Sequence, residues 1–343
     1  MIRFTGNLRD FEQFIYLTFL TIGNIVVLLN TYFQGYTNRR VWMNSNTEFK
    51  KGILYALGAY VLWGILPIYW KLIGGVSAFE ILAYRIVLSM IFMILMIVVL
   101  KKSQTFKRDL QHLFSHPIEL IVIIIAGYVI TVNWGTFIWA VSNGHVLQSS
   151  LGYYINPLVS ILLAFIFLKE RFNKFESLAI VFAAIGVLYM TIRVGEFPVI
   201  SLMLAFSFGI YGLLKKIVKI EAISSIAIEC IVTAPAGLMY MIYLWKTGTS
   251  SVGMNMDTFW LLFSGAVTAI PLILFSAGAK RIPLSLTGFI QYVGPTIMFF
   301  LGIFAFKEHF DAQQLVTFAL IWFGIILYSI SQYVKMKRNP RPQ

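Results

Sequence analysis

Apolar runs of about twenty residues alternate with short polar clusters along most of this chain. A helix rises 1.5 Å per residue, so a run of that length crosses about 30 Å of hydrocarbon. The pattern predicts helices over 52–71, 78–100, 118–141, 146–168, 174–192, 198–214, 222–245, 258–279, 284–306 and 314–334. The connections between them are short, which makes consecutive helices neighbours in a compact bundle. Residues 1–45 stand apart. Their run from Phe14 to Leu29 is short for a span and carries Thr18, Thr21 and Asn24, and no small-residue cleavage site follows it. It reads as an extra helix, an interfacial anchor, or an extension ahead of a true start at Met43.

A second pattern lies over the first. Shifted by 138 residues, Lys169, Glu170 and Phe172 fall on Lys307, Glu308 and Phe310. The same shift carries Tyr154 to Tyr292, Pro157 to Pro295, Gly127 to Gly265, Gly186 to Gly324 and Phe137 to Phe275. Eight identities at one offset, without a gap from Gly127 to Gly186, predict a duplicated half. The expected fold is therefore an all-α membrane protein of ten transmembrane helices, built as two five-helix repeats over 50–192 and 198–334. A transporter made of such repeats is one architecture that fits.

Composition agrees with a membrane protein. The chain is 59% hydrophobic and 12% charged, with net charge +13, and its mean hydropathy is +0.81. A soluble domain carries roughly twice that share of charge, about 25%. The excess of cations does not form a nucleic-acid surface, because Lys and Arg sit in short clusters between the apolar runs. With Lys50 inside and the helices alternating, inner segments hold 20 Lys and Arg and outer segments hold four. That bias puts both ends of the ten-helix body in the cytoplasm. Five helices per half is an odd number, so the halves are inverted. Cys230 is the one cysteine, which excludes an internal disulfide and a two-cysteine metal site.

The runs Asn133-Trp-Gly-Thr-Phe-Ile-Trp-Ala-Val141, Leu151-Gly-Tyr-Tyr-Ile-Asn-Pro-Leu158 and Phe289-Ile-Gln-Tyr-Val-Gly-Pro295 resemble those of RarD-type permeases. These form part of the EamA family, within the drug/metabolite transporter superfamily. The resemblance covers Lys50 to about Lys337. It implies a ten-helix inverted-repeat permease of a bacterial inner membrane. The family name is tied to chloramphenicol sensitivity, and the resemblance assigns no substrate.

Candidate chemistry gathers around the repeated prolines. Pro67, Pro157, Pro235, Pro271 and Pro295 lie inside predicted spans. Each lacks a backbone donor and frees a carbonyl that lipid cannot satisfy. Pro157 and Pro295 occupy equivalent places, preceded by Asn156 and Gly294, and read as helix breaks beside a central cavity or as packing kinks. Asn133, Trp134, Tyr153, Tyr154, Asn156, Gln291 and Tyr292 are the candidate cavity residues. A mostly apolar pocket with a few polar tips suits a small organic molecule. The competing reading for Tyr and Trp is an interfacial aromatic belt. Tyr153 and Tyr154 lie roughly 12 Å into their helix, too deep for a simple belt. Trp63, Trp139, Trp245 and Trp322 read as belt or packing residues.

Two charges fall deep within predicted spans, Arg85 and Glu229. At the bilayer centre a charge costs about 2.5–3.5 kcal/mol by insertion scales, so both should face the interior. Under the repeat they stand at near-equivalent places and could pair. Arg85 could also snorkel or bond Glu80. Glu229 reads as a proton carrier or as a structural charge held by a neighbour. Arg85 further resembles an arginine common in the second helix of the superfamily. His112, His116, His145 and His309 read as surface residues, since no acidic or cysteine partner completes a metal site around them. The Lys and Arg clusters read as solvated topology signals.

The leading function class is a secondary transporter that moves a small organic metabolite or drug by alternating access with proton coupling. No Gly-x4-Gly-Lys-Ser/Thr loop offers direct use of ATP. A membrane-embedded enzyme is the alternative, but there is no His-Glu-x-x-His, Gly-x-Ser-x-Gly or close Asp pair. A sensor without transport would need an output domain. No cofactor or metal is expected. The expected partners are a small-molecule substrate and the lipid bilayer, with a homodimer left open; nucleic acid is not among them.

Overall fold

Lipid offers no hydrogen-bond partners, so the apolar runs must satisfy their own peptide groups, and the helix does so within one segment. The structure is a computed structural model that describes residues 46–143, 145–194, 198–305 and 312–338. The expectations for residues 1–45, and for the second copy of the Lys-Glu motif at Lys307–Phe310, fall outside the described residues.

The helices are α1 (Asn46–Trp70), α2 (Ala78–Val99), α3 (Ser103–Ser115), α4 (Pro117–Ser142), α5 (Val146–Phe167), α6 (Lys174–Val194), α7 (Val199–Ile217), α8 (Ala222–Thr247), α9 (Met256–Leu262), α10 (Ser264–Ala279), α11 (Leu284–Gln291), α12 (Val293–Phe300) and α13 (Ala312–Arg338). A single π turn at Leu301–Ala305 follows α12. Among the described residues there is no strand. Nine helical segments among the described residues are long and apolar enough to cross a membrane, with α9 and α10 counting together as one.

Two departures from the sequence pattern have local causes. The stretch read as a connection after residue 100 contains α3. Phe106, Leu110 and Leu113 recur at helical spacing, Leu113 is fully buried, and Phe106 and Leu110 pack on the core. Lys101 takes a left-handed φ of 54° to turn the chain into it. The other departure is the apolar run 284–306, which is interrupted at Tyr292. Pro295 has no N–H for the Gln291 carbonyl four residues back, and its ring crowds that carbonyl. Helix α11 ends at Gln291 for this reason. Pro157, its counterpart by the sequence offset, sits inside an unbroken α5.

Packing follows from small residues. Between helices in lipid there is little hydrophobic drive, and close backbone approach supplies the attraction instead. A Cβ on Gly278 would lie 2.8 Å from the Ala56 amide nitrogen, and one on Gly324 would lie 2.8 Å from the Ala179 carbonyl. The first contact joins α10 to α1 and the second joins α13 to α6. The main helix pairs are α5 with α7 and α1 with α12, α1 with α10 and α4 with α7, and α2 with α10 and α4 with α8. Helices α2 and α8, α5 and α11, and α6 and α13 pair as well. The outer faces carry exposed Leu, Ile, Val and Phe, for example Ile94, Leu95 and Val98 on α2. That is the surface a bilayer requires.

Candidate functional site

A cavity lies where α1, α2, α4, α5, α7 and the α11–α12 break meet. The centre of a water-sized sphere can move through ≈ 160 Å³ of it. One water needs about 10–15 Å³ by that measure, so the space holds a small organic molecule. Helical periodicity builds the walls. On α1, Tyr60, Trp63, Pro67 and Trp70 fall at spacings of three and four, so they share one face. On α5 the same rule aligns Ser149, Gly152, Tyr153 and Asn156. Helix α4 adds Asn133, Trp134 and Phe137, and α7 adds Leu204 and Phe208. The break between α11 and α12 adds Gln291, Gly294, Pro295 and Met298.

Of the residues expected at a cavity, Asn133, Trp134, Tyr153, Asn156, Gln291 and Pro295 line it. Tyr154 and Tyr292 are not among the lining residues. Successive residues on a helix point about 100° apart, and the step past Tyr153 or Gln291 turns Tyr154 and Tyr292 off the lining face. Tyr154 packs edge-on against Phe318, with ring centroids 5.5 Å apart. Tyr292 is buried, and its hydroxyl donates to the Tyr154 carbonyl at 3.3 Å. Pro157 is not a lining residue either; its carbonyl lies 2.9 Å from where a Cβ on Gly288 would be. Trp63, read from sequence as a belt or packing residue, faces the cavity. Its signal was the α1 aromatic spacing.

The polar groups are few and held in place. Asn133 donates through Nδ2 to the Leu204 carbonyl at 2.9 Å and to Ser207 Oγ at 2.8 Å. Tyr60 donates to Gln291 Oε1 at 3.4 Å. Asn156 is 4% exposed, and its Oδ1 has no hydrogen-bond partner. Arg85, the lining residue from α2, donates through Nε to Thr268 Oγ1 at 3.2 Å. Its guanidinium carbon lies over Trp134 at 4.3 Å and over Trp70 at 5.0 Å. It bonds neither Glu80 nor Glu229. Glu80 accepts instead from Ser250 Oγ at 2.6 Å and from the Ser251 amide.

Glu229 lies away from the cavity. It forms an ion pair with Lys215, and the two side chains are 4% and 1% exposed. Tyr211 donates to its Oε2 at 2.9 Å and Ser225 to its Oε1 at 3.1 Å. This corrects the reading of Lys215 as part of a solvated cluster. Lys215 sits within the last turn of α7 and folds onto the facing turn of α8. An intramembrane carboxylate next to a helical hairpin was the available signal, because such a charge needs a partner. His112 has one acidic neighbour: its Nε2 is 3.3 Å from Glu119 Oε2. Among the described residues no group of three or more His, Cys, Asp or Glu could hold a metal ion.

The cavity occupies the half of the bundle toward the ends of α1 and α4 and the start of α5. Polar contacts join helix ends in the other half. Glu170 caps α11, accepting from the Leu284 amide at 2.8 Å and the Ser285 amide at 3.2 Å. Arg281 pairs with Glu48 at 2.8 Å, and Lys280 donates to the Ile220 carbonyl at 2.5 Å. Lys280 lies just past α10; its burial, with Lys215 nearby, pulls its pKa down to about 7.

The sequence matches the model of the EamA-like transporter family over residues 50–192 and again over 198–330. An uncharacterized transporter, YojE, of Bacillus subtilis (strain 168) is 39% identical over 295 residues, covering 85% of this chain and 98% of that protein. Protein RarD of Salmonella typhi is 41% identical over 283 residues, covering 82% and 95%. Protein RarD of Escherichia coli (strain K12) is 39% identical over 296 residues, covering 86% and 99%. A solved crystal structure, 18% identical, superposes with a TM-score of 0.64 and covers 82% of this chain and 97% of that one. At that identity the likeness concerns the fold alone.

Proposed function

The chain belongs to the EamA-like transporter family, as a RarD-type multi-pass membrane transporter, and from that premise we propose that it is an inner-membrane secondary transporter working by alternating access. It moves a small organic metabolite or drug through the central cavity. The observation that carries this reading is the cavity itself, lined from both halves of the chain at a broken helix. Broken helices at the meeting of repeats are where transporters of this architecture bind their cargo.

The proposed body is ten helices in two inverted repeats, with both ends cytoplasmic. Exchanging α1 with α7, α2 with α8, α4 with α10, α5 with α11–α12 and α6 with α13 turns the set of main helix pairs into itself. Gly127 approaches α8 and its counterpart Gly265 approaches α2, as that exchange requires. Under this topology the cavity faces outward, and Glu170, Arg281 and Lys280 close the inner end. Proton coupling runs through the buried Lys215–Glu229 pair, which is set apart from the cavity, so coupling acts through helix movement and not through competition at one site.

The test is transport. Purified protein in liposomes is offered a panel of small metabolites with and without a pH gradient. Uptake that collapses with the gradient supports the reading. A well-incorporated protein that moves nothing in either condition would count against transport.

A further inference from the structure

Taking the cavity as the substrate site, we propose that it selects a small organic anion: a carboxylate joined to a flat apolar body. Two observations converge. The first is a cation without a counter-charge. Arg85 has one hydrogen-bond partner, the Thr268 hydroxyl, and no carboxylate within ion-pair distance among the described residues. A buried charge is normally paired. The guanidinium is a fork of five N–H donors that cannot lose its charge, and with Nε engaged, the terminal Nη1/Nη2 edge is left to receive two oxygens side by side.

The second observation is what surrounds that edge. Trp134 and Trp70 lie against the guanidinium and hold its plane. With Trp63 and Phe208 they give the cavity flat apolar walls against which a ring can lie. No Asp or Glu is among the described lining residues. A cationic amine would therefore meet Arg85 with nothing to offset the repulsion, and specificity against it is built into the site.

The experiment measures binding to the full-length protein in detergent, by calorimetry and by thermal stabilisation. The probes are matched sets on phenyl, hydroxyphenyl and indole bodies, each as the acetate, its methyl ester and the corresponding ethylamine, with sulfate alongside. At least one acetate is expected to bind saturably while its ester and amine do not. Arg85→Gln should weaken that acetate by about tenfold or more, as expected for loss of a charge-assisted bidentate contact. Arg85→Lys, which keeps charge but not the fork, should fall between. Ester binding equal to the acid, preference for an amine, sulfate binding alone, or no acid bound in any set overturns the proposal. The acid–ester comparison needs no variant, so it stands even if Arg85→Gln fails to fold. Binding is read without transport, so an acid that binds but is never moved would sink the transporter reading and leave this one intact.

Discussion

Glu229 shows how much one neighbour decides. As a lone carboxylate in a helix it would be a candidate for taking up and releasing a proton. In contact with Lys215, and accepting from Tyr211 and Ser225, it is half of an ion pair, so coupling through it requires that pair to open. Removing one partner of such a pair is strongly destabilising, about 3–5 kcal/mol, because the other charge stays buried and uncompensated. Glu229→Gln is thus expected to lower surface level and thermal stability at every pH. Replacing both partners by apolar residues of similar volume is often neutral. Lys215→Met with Glu229→Leu should therefore recover most of the stability, as measured by thermal unfolding in detergent. If the pair carries coupling, this double variant exchanges substrate but loses the response to a pH gradient. Unchanged gradient-driven uptake by the double variant would remove the pair from the coupling mechanism.

At the scale of elements, the broken span α11–α12 and its cap carry the argument. Glu170 holds the first turn of α11, where unpaired amides and the helix dipole favour a carboxylate. Glu170→Ala should cost about 1 kcal/mol as a cap. Its larger effect is expected in access: a cysteine placed at Ser285 should become reactive to a membrane-impermeant maleimide added from the cytoplasmic side. Equal labelling with and without Glu170 would show that the cap does not hold that end shut. Close contact between α6 and α13 gives a separate expectation. A side chain on Gly324 must displace the Ala179 carbonyl. Gly324→Val should then destabilise by about 1–3 kcal/mol, the usual range for overpacking, whereas Gly74→Val, where no atom lies within 4 Å, should not on packing grounds. Thermal unfolding of the two variants side by side makes the comparison.

For the whole molecule the open quantity is orientation. Reporter fusions after Lys102, Lys174, Lys219, Lys280 and Lys337 are expected to report cytoplasm. Fusions near Gly75, Gly144, Gly195, Gly248 and Asp311 should report the opposite side. A cytoplasmic signal at both Gly248 and Asp311 would break the inverted arrangement.

What the sequence determined alone is whatever depends on runs and intervals. Length and hydrophobicity made the helices, since a twenty-residue apolar run has few other options in lipid. The EamA-type character was legible in the motifs around Asn133, Tyr153 and Gln291, and Arg85 could be marked as a charge that must face inward. Tertiary structure decided whatever depends on rotation about a helix axis and on partners distant in sequence. A difference of one residue turned Tyr153 into the cavity and Tyr154 out of it. The α1 face of Tyr60, Trp63 and Trp70 became a wall only because α12 and α5 stand opposite. Lys215 left the solvated cluster because α8 brings Glu229 to it, while Arg85 kept its charge open because no acidic residue among the described ones reaches it. Hydropathy depends on composition along the chain. The direction in which a side chain points, and what it meets there, depends on how the helices are packed.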